Sequence, residues 1–501
     1  MPEYLSPGVY VEEVDTGNKP IEGVATSTVG FLGISERGPV TPTLVTSFSE
    51  YRRVFGSYLR EGAADRYLTY AAEGFFQNGG KRCFVNRVTA ADAVEATQAF
   101  NGMTVSAIGP GLWGNRIQVE VAAAGLNDPA LPATDPANLF FKLIVRYWAV
   151  TPPVGDPTLQ EDYDNLSPLP ESSSFYKRQV NGSSTLVELE QTAPGRPANA
   201  GPTALANGAD GTTPLALLDF RNSLLQFEAV DEIAILCCPE EENFNITDDL
   251  VTQCENLKDR FAIIQARQTA PAIAVHRPTR VSKYAAYYYP WLRIRHPVTG
   301  IETLIPPGGH IAGIYARSDI ERGVHKAPAN EVIRGLLLDP LDPARGLQVQ
   351  VTKAQQDLLN PRGVNVLRNF PGRGNLVWGA RTSASDPDWK YVNVRRLFIF
   401  VEESIEEATQ WVVFEPNDEP LWARVRRSVS DFLTRLWMDG MLQGKTKEEA
   451  YFVKCDRTTM TQADIDNGKL IMLIGIAPVK PAEFVIFRIG QWTGGSDVTE
   501  G

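Results

Sequence analysis

The spacing of apolar positions alternates between periods of two and of three to four along most of the chain. Residues 24–34 are β-branched and end in the turn Arg37, Gly38, Pro39, which predicts a strand; 48–55 and 67–76 have helical spacing; 82–88 is strand-like again. After about residue 100 the helical spacing stops. Between 101 and 211, β-like runs at 117–121, 139–150 and 185–189 are separated by loops dense in Pro, Gly, Asn and Ser, such as 151–157 and 192–202. The mixed pattern resumes at Pro214, with an amphipathic stretch 215–227, a buried strand 233–238, a helix 247–259 with Thr247 as N-cap, a strand 261–265, a β-like run 284–294 and a helix around 310–320. Residues 358–378 break into short strands at Pro361, Pro371 and Gly374.

The last quarter reads as strand 396–402, helix 405–413, a break at 415–420, a long helix 421–442, strand 451–455, a short helix near Ala463 and strand 470–477, the last buried by its length. Beyond it the linker Pro478, Val479, Lys480, Pro481 leads into AEFVIFRI at 482–489. Each proline fixes φ and removes a donor, so this strand folds back on its own domain with difficulty. Either it completes its own sheet, or a partner takes it up by strand addition. The N-terminus has the same design: YLSPGVYVEEV at 4–14, with Val9 and Val11 apolar, followed by the polar break DTGNKP at 15–20. The expected fold is therefore α/β (α+β) and multi-domain. It has a terminal arm and linker (1–20), a discontinuous α/β middle part (21–100 and 212–375), an inserted β-rich part (101–211), a C-terminal α/β part (376–477) and a second linker and arm (478–501).

With 501 residues the chain exceeds what one core organises, so two to four domains are expected. It is 43% hydrophobic and 22% charged, without an apolar run near the ~20 residues of a membrane helix and without a signal-peptide pattern, so no membrane insertion and folding in the cytoplasm are expected. A formal charge of -12 argues against a nucleic-acid binder. Cys83, Cys237, Cys238, Cys254 and Cys455 are scattered in apolar runs and read as reduced core thiols rather than a zinc or disulfide framework.

The candidate chemistry is thin. FFQNGGKR at 75–82 lacks the first glycine and the Ser or Thr of a phosphate loop, and a helix runs into its glycines rather than out of them; Gly79 and Gly80 read as a helix C-cap. PGRGNLVWG at 371–379 reads as a turn between strands. His276, His296, His310 and His325 show no metal spacing, and the neighbouring acids Glu402, Glu403, Glu406 and Glu407 suit a helix end better than a catalytic dyad. No nucleophile stands with a base, so no enzyme, cofactor or metal is expected. One charged feature remains. On the helix from Leu421, Trp422, Val425, Val429, Phe432, Leu433 and Leu436 form an apolar stripe, while Arg424, Arg427, Asp431 and Arg435 share the other side, with Lys445 and Lys447 beyond. That basic stripe is either a solvated face or a dock for an acidic partner.

Several stretches together resemble the tail sheath proteins of contractile phages and related bacterial contractile injection systems: GVHKAPAN at 323–330, WGART at 378–382, YVNVRRLFIFVEESI at 391–405, TQWVVFEPND at 409–418, PAEFVIFRI at 481–489, and the opening YLSPGVYVEE with GGKRCFVNRV at 79–88. The match is poorest over 101–211. The resemblance implies a structural subunit that stacks as six-membered rings in a helical homopolymer around an inner tube protein, meets baseplate and terminal cap proteins, and contracts to drive the tube through a target envelope. It is assembled in the bacterial cytoplasm as part of a phage tail or phage-tail-like particle. The resemblance also implies that neighbours exchange strands carrying Val9, Tyr10 and Val11 at one end and Phe484, Val485, Ile486, Phe487 and Ile489 at the other. Gly17, Pro20, Pro478 and Pro481 then mark hinge linkers, and Arg424, Arg427 and Arg435 become candidate tube contacts. The competing readings are another self-assembling shell or surface-array protein, and a soluble α/β enzyme with an unrecognised site.

Overall fold

A computed structural model describes residues 20–61, 64–127, 139–150, 154–240, 245–339 and 342–487. Val9, Tyr10, Val11, Gly17 and Ile489 lie outside them. The largest sheet has nine strands, in the order Glu331–Val332, Gly374–Val377, Val364–Phe370, Ala285–Tyr289, Phe261–Gln265, Ile235–Cys237, Val29–Gly33, Cys83–Arg87, Thr43–Val45. Its central strands run parallel, and antiparallel strands close both edges. Continuous apolar runs such as VGFLG and FAIIQ are buried along their whole length because helices cover both faces of a parallel sheet.

Two of those helices, Leu68–Gln77 and Gly308–Arg322, approach so closely that glycine is required between them. A Cβ on Gly309 would stand 2.3 Å from Ala71 Cα, and one on Gly313 2.4 Å from the Phe75 carbonyl oxygen. The PGRGNLVWG stretch is the hairpin between Val364–Phe370 and Gly374–Val377, with Gly372 and Gly374 at positive φ. Gly79, also at positive φ, follows the Leu68–Gln77 helix as its sequence suggested.

Residues 97–204 build two further sheets over a core of their own. One has four strands in the order Leu159–Leu166, Phe141–Tyr147, Ile117–Ala123, Ala200–Ala204; the other has three, Val187–Gln191, Met103–Ala107, Thr97–Phe100. Ile117–Ala123 and Phe141–Tyr147 alternate buried and half-buried positions, the signature of antiparallel strands with one covered face. A short helix, Tyr176–Asn181, breaks the expected absence of helix here.

The C-terminal third corrects three expectations. Residues 396–402 are not a strand; they lie inside the helix Val392–Ala408, which takes over the expected helix start at 405 and is followed by a 3₁₀ turn at Gln410–Val412. The misreading has a physical cause. This helix is buried on two sides, with Val392 and Ile399 in the core of the main sheet and Leu397, Phe400 and Val401 in the C-terminal core, so its apolar run is as continuous as a buried strand's. The long helix runs Glu419–Met438 rather than to 442; Asp418 caps it by accepting from the Leu421 N–H at 2.9 Å. Its stripe of Trp422, Val425, Val429, Phe432, Leu433 and Leu436 is buried as the spacing required. The strand expected at 470–477 shortens to Leu473–Ile476, pairs antiparallel with Tyr451–Lys454, and is not buried: Leu473 is 52% exposed. An ion pair ties the helices together across the cores. Arg396 donates to both carboxylate oxygens of Asp319, at 2.9 and 2.7 Å, and to the Thr26 carbonyl, and it lies over the Tyr315 ring.

Candidate functional site

The chain leaves the two-stranded sheet at Ile476 and is stitched to its own subunit for seven more residues. The Ala477 N–H donates to the Ala450 carbonyl at 2.8 Å, and the Ala477 carbonyl accepts from Gln443 at 2.9 Å. Pro478 bridges Leu442, and the Val479 carbonyl accepts from the Asn393 side chain at 3.1 Å. The Val479 N–H donates to the Met441 carbonyl at 3.3 Å, while Pro478 and Pro481 carry no backbone donor to satisfy.

The stitching ends on one residue that sequence reasoning passed over. Glu483 is half-buried and takes four partners: Arg381 Nε at 2.7 Å, Asn360 Nδ2 at 2.8 Å, Tyr391 Oη at 3.0 Å and Lys390 Nζ at 3.1 Å. Burial alone would push its pKa up; the hydrogen bonds from Arg381, Asn360 and Lys390, with the charge of Arg381, outweigh that and hold it at about 2. Arg381 is itself fixed, donating to the Asn360 carbonyl at 3.0 Å. The only sequence signal was a lone acid in an apolar terminal run, AEFVIFRI, paired with the arginine of WGART.

Past this latch the described residues, 484–487, form no strand in their own subunit. Phe484, Val485, Ile486 and Phe487 are 69%, 69%, 79% and 82% exposed. Four consecutive apolar side chains in water are a surface awaiting cover. The latch also forms one wall of a groove of about 960 Å³ between the arm and the main sheet's hairpin edge. Phe370, Trp378 and Tyr391 line it, and Arg322, Lys326, Lys353, Arg368, Arg381 and Lys480 contribute cationic groups against the acids Asp357 and Glu483.

The basic stripe does not present its arginines alike. Arg424 is exposed but lies 3.3 Å from Glu415 and over the Trp411 ring; Arg427 is exposed on the same side; Arg435 donates to the Ile21 carbonyl, fastening the entry of the chain to the helix. Pro20, just before, is exposed. Elsewhere the titratable groups serve packing. His276 bonds Tyr287 Oη at 2.9 Å, burial lowers the His310 pKa to about 4, and Glu240 accepts from the Tyr67 and Leu68 amides with burial raising its pKa to about 7. All five cysteines are buried. Among the described residues, no group of three or more His, Cys, Asp or Glu is placed to hold a metal, and no helix is long and apolar enough to cross a membrane.

An arm that displays bare apolar residues is a surface that another chain could cover. Residues 213–383 match the model of the phage tail sheath protein central domain, and 384–491 match that of the phage tail sheath C-terminal domain. The chain belongs to the contractile tail sheath family. The tail sheath protein of Burkholderia phage BcepMu is 25% identical over 464 residues, with 87% of each chain covered. The tail sheath proteins of Vibrio phage KVP40 and Enterobacteria phage T4, at 25% and 26% identity, are longer relatives, of which the match spans 28%. Among solved structures, a chain of the anti-feeding prophage sheath in its contracted state superposes with a TM-score of 0.61 at 26% identity, covering 97% of this chain and 99% of that one. A chain from the same particle's baseplate gives 0.60 at 26%, covering 98% and 100%. Members of this family are structural tail components, and the sheath relatives span both phage tails and injection devices.

Proposed function

We propose that the protein is the structural subunit of a contractile sheath, that it stacks as hexameric rings around an inner tube, and that it contracts to drive that tube through a target envelope. The observation that carries this reading is the arm: rooted on its own subunit through Glu483 and exposing Phe484 to Phe487, in a subunit whose strand Leu473–Ile476 has only Tyr451–Lys454 for a neighbour among the described residues. In this reading Phe484, Val485, Ile486, Phe487 and Ile489 add to a neighbour's C-terminal sheet, and Val9, Tyr10 and Val11 do the same from the other side. Gly17 and Pro20 belong to the incoming tether, and Pro478 and Pro481 to the outgoing one. Because 477–483 is bonded to its own subunit, Pro478 and Pro481 form the anchored root of that tether and the arm swings from Glu483 onward. Arg424 and Arg427 face the tube, with Arg435 engaged at the root of the incoming tether. Baseplate and cap proteins close the two ends of the polymer, and assembly takes place in the bacterial cytoplasm.

Negative-stain microscopy of the chain expressed alone tests the reading. Hollow ridged tubes are expected. Removing residues 1–14, or stopping after Pro481, leaves folded particles that make no tubes; flat arrays or small particles from the intact chain, or tubes from the truncated ones, refute it.

A further inference from the structure

The groove beneath the latch is lined in part by Phe484, the first residue of the exposed run, and the rest of its lining has a specific chemistry. It is an aromatic floor of Phe370, Trp378 and Tyr391 with a rim of cations, of which Arg322, Lys353 and Lys480 are exposed. Lys326 is turned inward to the Ala329 carbonyl at 3.1 Å and to Glu331 at 3.4 Å, Arg368 bonds Gln356 at 2.8 Å, and Arg381 holds Glu483. The groove's own acids are Glu483, already committed to the latch, and Asp357. A strip of exposed positive charge over aromatic faces fits an acidic peptide with apolar side chains.

One such peptide belongs to the chain itself. Residues 1–19 carry Glu3, Glu12, Glu13 and Asp15 against Lys19, in a protein where no other terminal segment is so acidic, and interleave them with Tyr4, Leu5, Val9, Tyr10 and Val11. Their point of attachment is near. The carbonyl of Ile21 is held by Arg435, and Gly440, five residues further along, lines the groove. The helix that carries Arg435 ends at Met438, so Gly440 lies just past its C-terminus. Nineteen residues reach up to ~60 Å extended, so the span is short, and a tether of this length sets an effective concentration on the order of millimolar. In dilute subunits that exceeds any neighbour's concentration.

We propose that in the free subunit this groove holds the acidic N-terminal segment of its own chain. Glu12, Glu13 and Asp15 meet Arg322, Lys353 and Lys480, and residues 9–11 lie on the aromatic floor. The contact keeps the segment from pairing with stray strand edges until a neighbour's sheet offers a ladder of main-chain hydrogen bonds in exchange. The release step rests on the sheath reading, whereas occupancy of the groove does not.

Hydrogen exchange of the full-length chain, kept dilute enough to stay unassembled, reads the occupancy over residues 353–381 and 478–484. Glu12→Lys with Glu13→Lys is expected to speed exchange there by about fivefold, the effect of two or three exposed ion pairs. Adding Arg322→Glu with Lys353→Glu to that variant is expected to restore protection, a rescue that mere misfolding cannot give. High salt should mimic the first variant. Exchange rates unaltered by the Glu12 and Glu13 changes overturn the proposal. So does protection that rises with protein concentration, which marks a neighbour's segment in the groove. Protected grooves in a chain that never forms tubes count against the sheath reading alone.

Discussion

Glu483→Ala removes the residue on which the arm's direction depends, and its cost follows from the bonds in view. Four donors converge on one carboxylate, two of them charged, at 2.7 to 3.1 Å. Hydrogen bonds to charged groups contribute about 1.5–3 kcal/mol and neutral ones about 1; their overlap on one carboxylate and its partial exposure to water bring the sum down, so a local cost of about 2–4 kcal/mol is reasonable. The loss is local because Glu483 belongs to none of the three hydrophobic cores. Hydrogen exchange over 477–483 should therefore accelerate by one to three orders of magnitude, at 1.4 kcal/mol per decade, while the thermal unfolding midpoint stays within a few degrees. The pH dependence has a definite sign. A carboxylate depressed from its ordinary value of 4.5 to about 2 stabilises the latch fully above about pH 4.5 and loses that contribution as pH falls toward 2. Wild type and variant should thus converge at low pH. Glu483→Gln, which keeps an acceptor for Asn360 but loses the charge facing Arg381 and Lys390, should fall between them. Equal protection in wild type and Glu483→Ala at pH 7 would refute the latch.

Asp319→Ala strips a fully buried arginine of its partner: the side chains of Arg396 and Asp319 are 4% and 3% exposed, so a loss of about 3–5 kcal/mol in chemical denaturation is expected. Gly309→Ala places a methyl 2.3 Å from the backbone of the facing helix, and should lower the unfolding midpoint through a cost of at least ~1–3 kcal/mol, whereas alanine at Gly300, which has open space around it but a positive φ, should cost about 1. Charge reversal at Arg424 and Arg427 together should impair assembly on a tube more than self-assembly of the chain alone, read by sedimentation with and without tube protein; equal loss in both would remove the stripe from the tube contact.

The legible parts of this fold were those where one periodicity meets one environment. Phe261–Gln265 and Val29–Gly33 were legible as strands because helices shield both faces and leave their apolar runs continuous, and the long helix was legible because only one face is covered, although its expected span of 421–442 becomes Glu419–Met438. The Val392–Ala408 helix was misread because two cores cover it, which erases the polar face that distinguishes a helix. Leu473 looked buried because nothing in a sequence separates a strand covered by its own subunit from one left open. Glu483 was missed for a related reason. Its partners come from 360, 381, 390 and 391, and only the fold brings those positions to one point.

The latch lowers the conformational entropy that the arm would lose when a partner covers it. Burying each of Phe484, Val485, Ile486 and Phe487 on a partner is worth about 1.5–3 kcal/mol, so the four together offer on the order of 6–12 kcal/mol before ordering costs. A freely jointed tail would lose much of that on being ordered, since fixing each backbone residue costs about 1–2 kcal/mol. Seven residues, 477–483, are already ordered on their own subunit, so that cost is met during folding rather than on association. Among the described residues, what remains to be ordered is the exposed run 484–487. In the strand-exchange reading the two parts of the C-terminal tail take different roles: Pro478, Pro481 and Glu483 would fix where the arm leaves its subunit, and the apolar run would supply the adhesion. Weakening the first should make assembly slower without changing the final contacts, whereas polar substitution at Phe484 and Phe487 should leave the latch intact and weaken the contacts themselves.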